Sequence, residues 1–92
     1  MNDKDKLAYY QALNKIKLNT KQRDMIDNLV ENKGYLSNSI YQDAEGVNKL
    51  TAGRHIKDML QKNIIKKSNE PGRTKYELVS LKELTKERSL ER

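Results

Sequence analysis

Repeatedly along this chain, a residue able to cap a helix stands directly before a short amphipathic stretch: Asn19-Thr20, Ser37 or Ser39, Asn48 or Thr51, and Ser80. The side-chain oxygen of such a residue satisfies a backbone N–H that the first helical turn leaves without a partner, so each one marks a helix start. Punctuation this frequent dictates short helices and excludes a long coiled coil. The 92 residues suffice for one small domain with a modest core.

The first helix is expected over 4–17, where Leu7, Tyr10, Leu13 and Ile16 recur every three residues and Asp3 or Asp5 sits near the positive end of the helix dipole. The second opens at Asn19 or Thr20, with Gln22 spaced for a capping box. Met25, Ile26, Leu29 and Val30 form its apolar stripe, and Gly34 is the expected left-handed stop. Tyr35-Leu36 has room only for a stub of strand. A short third helix carries Ile40, Tyr41 and Ala44 and ends before Gly46.

A longer helix runs from Asn48 or Thr51 to about residue 62. At 100° per residue, centring its inner face on Ile56 brings Ala52, Gly53, Met59 and Leu60 inward. Thr51, Arg54, Asp58 and Gln61 then face outward, with His55 and Lys57 on the flanks. Gly53 lowers helix propensity by about 1 kcal/mol relative to Ala, which points to close approach of the preceding helix. Asn63 suits a left-handed helix end. Residues 64–67 and 74–79 read as a hairpin joined through Pro71-Gly72 in a type II turn, with Tyr76 and Leu78 inward. Ser80-Leu81-Lys82-Glu83 is a capping box that opens a charged last helix with Leu81, Leu84 and Leu90. The expected class is mainly α with a small β-hairpin: residues 1–18 an N-terminal helix, 19–79 the central unit, and 80–92 a C-terminal helix.

Charge divides the chain more sharply than composition does. Residues 1–48 balance, as do residues 77–92. Residues 49–76 carry Lys49, Arg54, Lys57, Lys62, Lys66, Lys67, Arg73 and Lys75 against Asp58 and Glu70, which is the entire net charge of +6. An excess confined to one segment is the electrostatic footprint of a polyanion-binding face. The plainer reading is a solvated basic surface that aids solubility.

Other chemistries are excluded by count. Zero Cys leaves no disulfide framework, thiolate nucleophile or sulfur-bound zinc. A single His, at position 55, leaves no multi-histidine metal centre, and no nucleophile stands at a diagnostic spacing from it. No catalytic residue, cofactor or metal is expected. No apolar run reaches the ~18 residues of a membrane span, and residues 1–6 open no signal-peptide apolar region, so no membrane partner is expected and a cytoplasmic location is.

The order helix, helix, stub, short helix, longer helix, hairpin resembles a winged helix-turn-helix domain over about residues 20–79. The resemblance is carried by Gly34-Tyr35-Leu36-Ser37 before the short helix, by Gly46 in the turn, and by Leu60-Gln61-Lys62-Asn63-Ile64-Ile65 leaving the long one. Asn63 stands where many winged-helix repressors have Gly, and Gly53 where an apolar β-branched residue is usual. Gly72-Arg73-x-x-Tyr76-x-Leu78 is similar to the wing of MarR- or PadR-like regulators.

The resemblance implies DNA binding, with residues 49–62 as the recognition helix and 64–79 as a basic wing. The candidate contacts are Lys49, Thr51, Arg54, His55, Lys57 and Asp58 on the helix and Lys66, Lys67, Arg73 and Lys75 on the wing. Arg addresses guanine bidentately, Thr hydrogen-bonds a base or touches a thymine methyl, Asp accepts from cytosine, and Lys meets phosphate. Each residue has a plainer role: His55 as a surface residue, Asp58 as the ion-pair partner of Arg54 or Lys62, Tyr41 and Tyr76 as core. Tyr9 and Tyr10 cannot both face one core, which leaves one for a partner or a single-stranded base.

The leading expectation is a small transcriptional regulator binding double-stranded DNA as a homodimer through its flanking helices. The alternatives are a replication-accessory protein of a mobile element, bound to single-stranded DNA or to a replication enzyme, and a module whose basic face meets an acidic protein partner.

Overall fold

A computed structural model describes residues 2–68 and 74–89. The chain runs α1 (Asp3–Leu13), α2 (Thr20–Asn32), α3 (Asn38–Glu45), α4 (Lys49–Gln61), β1 (Ile65–Lys67), β2 (Tyr76–Leu78) and α5 (Leu81–Ser89). It is mainly helical with a small two-stranded antiparallel sheet. The Pro71-Gly72 turn, Arg73 and Leu90 lie outside the described residues.

The caps fall where short-range chemistry directs. Asn19 and Gln22 form a reciprocal capping box on α2, Ser37 accepts from the Ile40 amide, Asn48 from the Thr51 amide, and Ser80 Oγ from the Glu83 amide. Of the two alternatives at the third and fourth helices, Ser37 and Asn48 are the caps. Gly46 (φ 65°) and Asn63 (φ 59°) take the left-handed conformation that ends α3 and follows α4. At the end of α2 that role falls to Lys33 (φ 48°) rather than Gly34. The helix therefore ends at Asn32, with its left-handed cap one residue before the glycine.

The core joins Met25, Ile26, Leu29 and Val30 of α2 to Tyr41 of α3 and to Ala52, Ile56 and Met59 of α4. Leu36, Ile64, Ile65 and Val79 close it on the sheet side, and Tyr9, Leu13 and Leu84 bring the terminal helices onto it. The stripe expected on α1 is corrected at Leu7, which is 60% exposed; Leu13 is buried, Tyr10 and Ile16 pack against the core, and Tyr9 is also buried, its hydroxyl donating to the Val79 carbonyl (2.7 Å). Tyr10 is half-buried and its hydroxyl donates to Glu31 of α2. Tyr9 is the one of the pair that faces the core fully, and the Tyr10 hydroxyl is engaged at the α1–α2 contact.

The β1–β2 ladder pairs Ile65 with Leu78, Lys66 with Glu77 and Lys67 with Tyr76. On the other side of β2, Leu36 and Tyr76 exchange both backbone hydrogen bonds at 2.7 Å. The stub before α3 thus anchors to the hairpin, which fixes the start of α3 relative to β2. Among the described residues no helix is long and apolar enough to cross a membrane.

Where α2 meets α3, Glu45 is half-buried beside Asp24. Burial, then a hydrogen bond and charge repulsion from Asp24, push the Glu45 carboxyl up to about 7. A raised acid favours the fold while protonated, so its contribution is complete below about pH 4.5 and disappears as pH rises through about 7. Glu45→Gln is therefore expected to match wild type near pH 5 and to exceed it by about 1 kcal/mol at pH 8, solvent screening discounted. Urea denaturation of both proteins across that range measures it.

Candidate nucleic-acid interface

The surface that gathers the expected contacts is built on α4. Its buried residues Ala52, Ile56 and Met59 fix which side faces the core. At 100° per residue, the face opposite them is centred near Leu50, Arg54, Lys57 and Gln61, all exposed. Relative to the sequence expectation the helix is turned by roughly 50° about its axis. Thr51, His55 and Asp58, expected outward or on a flank, are half-buried, and His55 and Asp58 border α2.

The cause is a set of polar contacts that no periodicity reveals. Gln22, only 2% exposed, does more than cap α2: its Nε2 donates to the His55 carbonyl (3.1 Å) and to Asp58 Oδ2 (3.0 Å). Tyr41 Oη lies 2.7 Å from His55 Nδ1, with the two rings edge to face, and Asn19 Nδ2 lies 3.4 Å from Nε2. Asp58 also pairs with Lys62 at 2.9 Å. The Lys62 and Gln22 hydrogen bonds hold its carboxyl below the usual carboxylate range. His55 and Asp58 are therefore tethers between helices. Both His55 ring nitrogens are engaged in this way, whereas both Asp58 contacts use Oδ2 alone.

Lys49, Arg54 and Lys57 remain, and among the described residues they make no ion pair. With Asn38, Leu50 and Gly53 they line a shallow depression across the outer side of α4. Leu50 is 65% exposed there, a position the sequence reading overlooked. A second depression, lined by Tyr35, Ser37, Ser39, Ile40, Thr74 and Lys75, lies between the hairpin and α3. The start of α3 contributes to both: Asn38, which donates to the Lys49 carbonyl (3.2 Å), lines the first, and its neighbours Ser37 and Ser39 line the second.

On the hairpin, Lys67 is exposed, and Lys75 places its Nζ 5.2 Å from the centre of the Tyr35 ring. Tyr35 is 43% exposed, so the aromatic residue available at this surface is one that sequence reasoning did not single out. Its signal was present only as a tyrosine outside any amphipathic pattern. Lys66 is turned away and pairs with Glu83 at 3.2 Å, whose carboxyl it lowers. Arg73 lies outside the described residues.

Among the described residues no group of three or more His, Asp or Glu side chains is placed to hold a metal ion. No protein-family model matches the chain, and neither a curated protein nor a solved structure matches it.

Proposed function

We propose that this chain is a DNA-binding protein of winged helix-turn-helix type, with α4 lying in the major groove and the β1–β2 hairpin against the backbone. The observation that carries the reading is the exposed basic face of α4, where Lys49, Arg54 and Lys57 stand without carboxylate partners among the described residues. A cation paired with a carboxylate is neutralised by it, as Lys62 is by Asp58 and Lys66 by Glu83, whereas these three project positive charge toward a partner. The element order supports the fold assignment, as does the Leu36–Tyr76 bridge, which adds a one-residue third strand beside the hairpin. A small transcriptional regulator is the role this favours. A homodimer belongs to the same reading, with α1 and its exposed Leu7 as the meeting surface.

The alternative is a replication-accessory protein bound to single-stranded DNA. One observation favours it: the exposed Tyr35 ring under Lys75 is a cation-backed stacking surface. Anisotropy titrations with a random duplex, a random single strand and a duplex selected from a random pool separate the two. The expected order is selected duplex, random duplex, single strand, with affinity for duplex falling by about 0.9 log units per log unit of salt for each phosphate contacted. Tighter binding to the single strand would transfer the assignment to the alternative, and a salt-independent or absent interaction would remove both.

A further inference from the structure

Gly53 occupies the interior of α4 without an intramolecular reason. A Cβ added there would meet only Asn38 Nδ2, at 3.6 Å, an ordinary contact. The expectation that α3 approaches too closely for a side chain is thus not met, and the backbone is regular helix. The glycine weakens the helix and leaves open a notch on the outer face. Exposed Leu50 lies beside that notch, and Lys49, Arg54 and Lys57 surround it.

An apolar hollow rimmed by cations fits a ligand with a small apolar projection inside a polyanionic frame. Within duplex DNA that projection in the major groove is the thymine 5-methyl group. We propose that the notch over Gly53, walled by Leu50, receives a thymine methyl and makes this pair a specificity-determining element of α4. The inference rests on the proposed duplex-binding function and names what one part of that surface reads. Arg54 and Lys57 hold the phosphates or base edges around it, and the side-chain-free Gly53 lets the base edge approach the helix.

The test uses the selected duplex and the same duplex with thymine replaced by deoxyuridine one position at a time, against wild type, Leu50→Ala and Gly53→Ala. For wild type, one or two positions should each lose about fourfold in affinity, the worth of one buried methyl. Leu50→Ala should bind both duplexes alike at those positions. Gly53→Ala should melt a few degrees higher, as a glycine-to-alanine change in a regular helix does, yet bind the thymine duplex at least about threefold more weakly, because its methyl group fills the space the base methyl would take.

If no deoxyuridine position matters while Arg54→Ala still loses preference for the selected site, the notch proposal fails and the DNA-binding function stands. If Leu50→Ala still distinguishes thymine from uracil, the methyl is read elsewhere. A Gly53→Ala protein that melts lower than wild type would show that the glycine serves the fold, which also overturns the proposal. If wild type binds no duplex, the function itself falls with it.

Discussion

Replacing Ile56 by Ala should destabilise the domain by about 2–5 kcal/mol, while Arg54→Ala on the same helix should stay within about 0.5 kcal/mol of wild type. Ile56 is 3% exposed and sits in the cluster that joins α2, α3 and the sheet to α4. Truncating it removes apolar contact and leaves a cavity that packed helices fill only in part. Arg54 projects into solvent and makes no ion pair among the described residues, so its loss leaves no cavity and no unpaired partner. Leu60 separates the structure from the sequence expectation. Periodicity alone makes it equivalent to Ile56, but it is half-buried and packs at the edge of the core. Leu60→Ala should therefore cost clearly less than Ile56→Ala. Urea denaturation of the three variants ranks them, and an Arg54→Ala protein as unstable as Ile56→Ala would reject the orientation of α4.

What the sequence could disclose followed the range of the interactions involved. Helix starts depend on a side chain and a backbone amide three residues apart, so Ser80 was visible in the chain itself, and Asn19, Ser37 and Asn48 were visible to within the alternatives Thr20, Ser39 and Thr51. The core stripe of α2 was equally legible, because Met25, Ile26, Leu29 and Val30 keep within one side of a helix. The stripe on α1 was legible only in part. A spacing of three advances 300°, so Leu7, Tyr10, Leu13 and Ile16 span about half a turn and cannot all face one core. Tyr9 and Leu13, four apart, stay within about 40° of each other and are the residues buried. Ile16 falls beyond the end of α1, which closes at Leu13.

The orientation of α4 shows the same limit at the site. Its apolar residues define the buried side only broadly, and the final angle is set by Gln22 and Tyr41, residues far away in sequence. A buried glutamine has to satisfy its amide, and here it does so on the His55 carbonyl and the Asp58 carboxylate. That draws His55 and Asp58 toward α2 and presents Leu50 and Lys57 outward instead. The concentration of positive charge in residues 49–76 was plain from the sequence. Its division into cations held by carboxylates (Lys62 and Lys66) and cations facing outward (Lys49, Arg54 and Lys57) was legible only in part: Asp58 stands four residues before Lys62, whereas Glu83, the partner of Lys66, is 17 residues away.

Arg54→Ala is expected to lower affinity for a selected duplex by about 1–3 kcal/mol, roughly five- to 150-fold, and to relax base preference at one position. The same change should have little effect on a random duplex beyond the loss of one charge. Lys67→Ala should behave in the opposite manner, weakening selected and random duplexes alike and flattening the log–log salt dependence by about 0.9. The contrast follows from placement. Arg54 stands at the middle of the exposed face of α4, where a fork of donors can meet a base edge. Lys67 ends β1 on the hairpin, where a flexible point charge reaches the backbone but has no reason to distinguish one base from another. Titration of both variants on both duplexes over a salt series supplies all four comparisons. If the two substitutions reduce binding equally on the two DNAs, α4 contributes charge rather than recognition, and the exposed face built by the rotation of that helix is an electrostatic anchor.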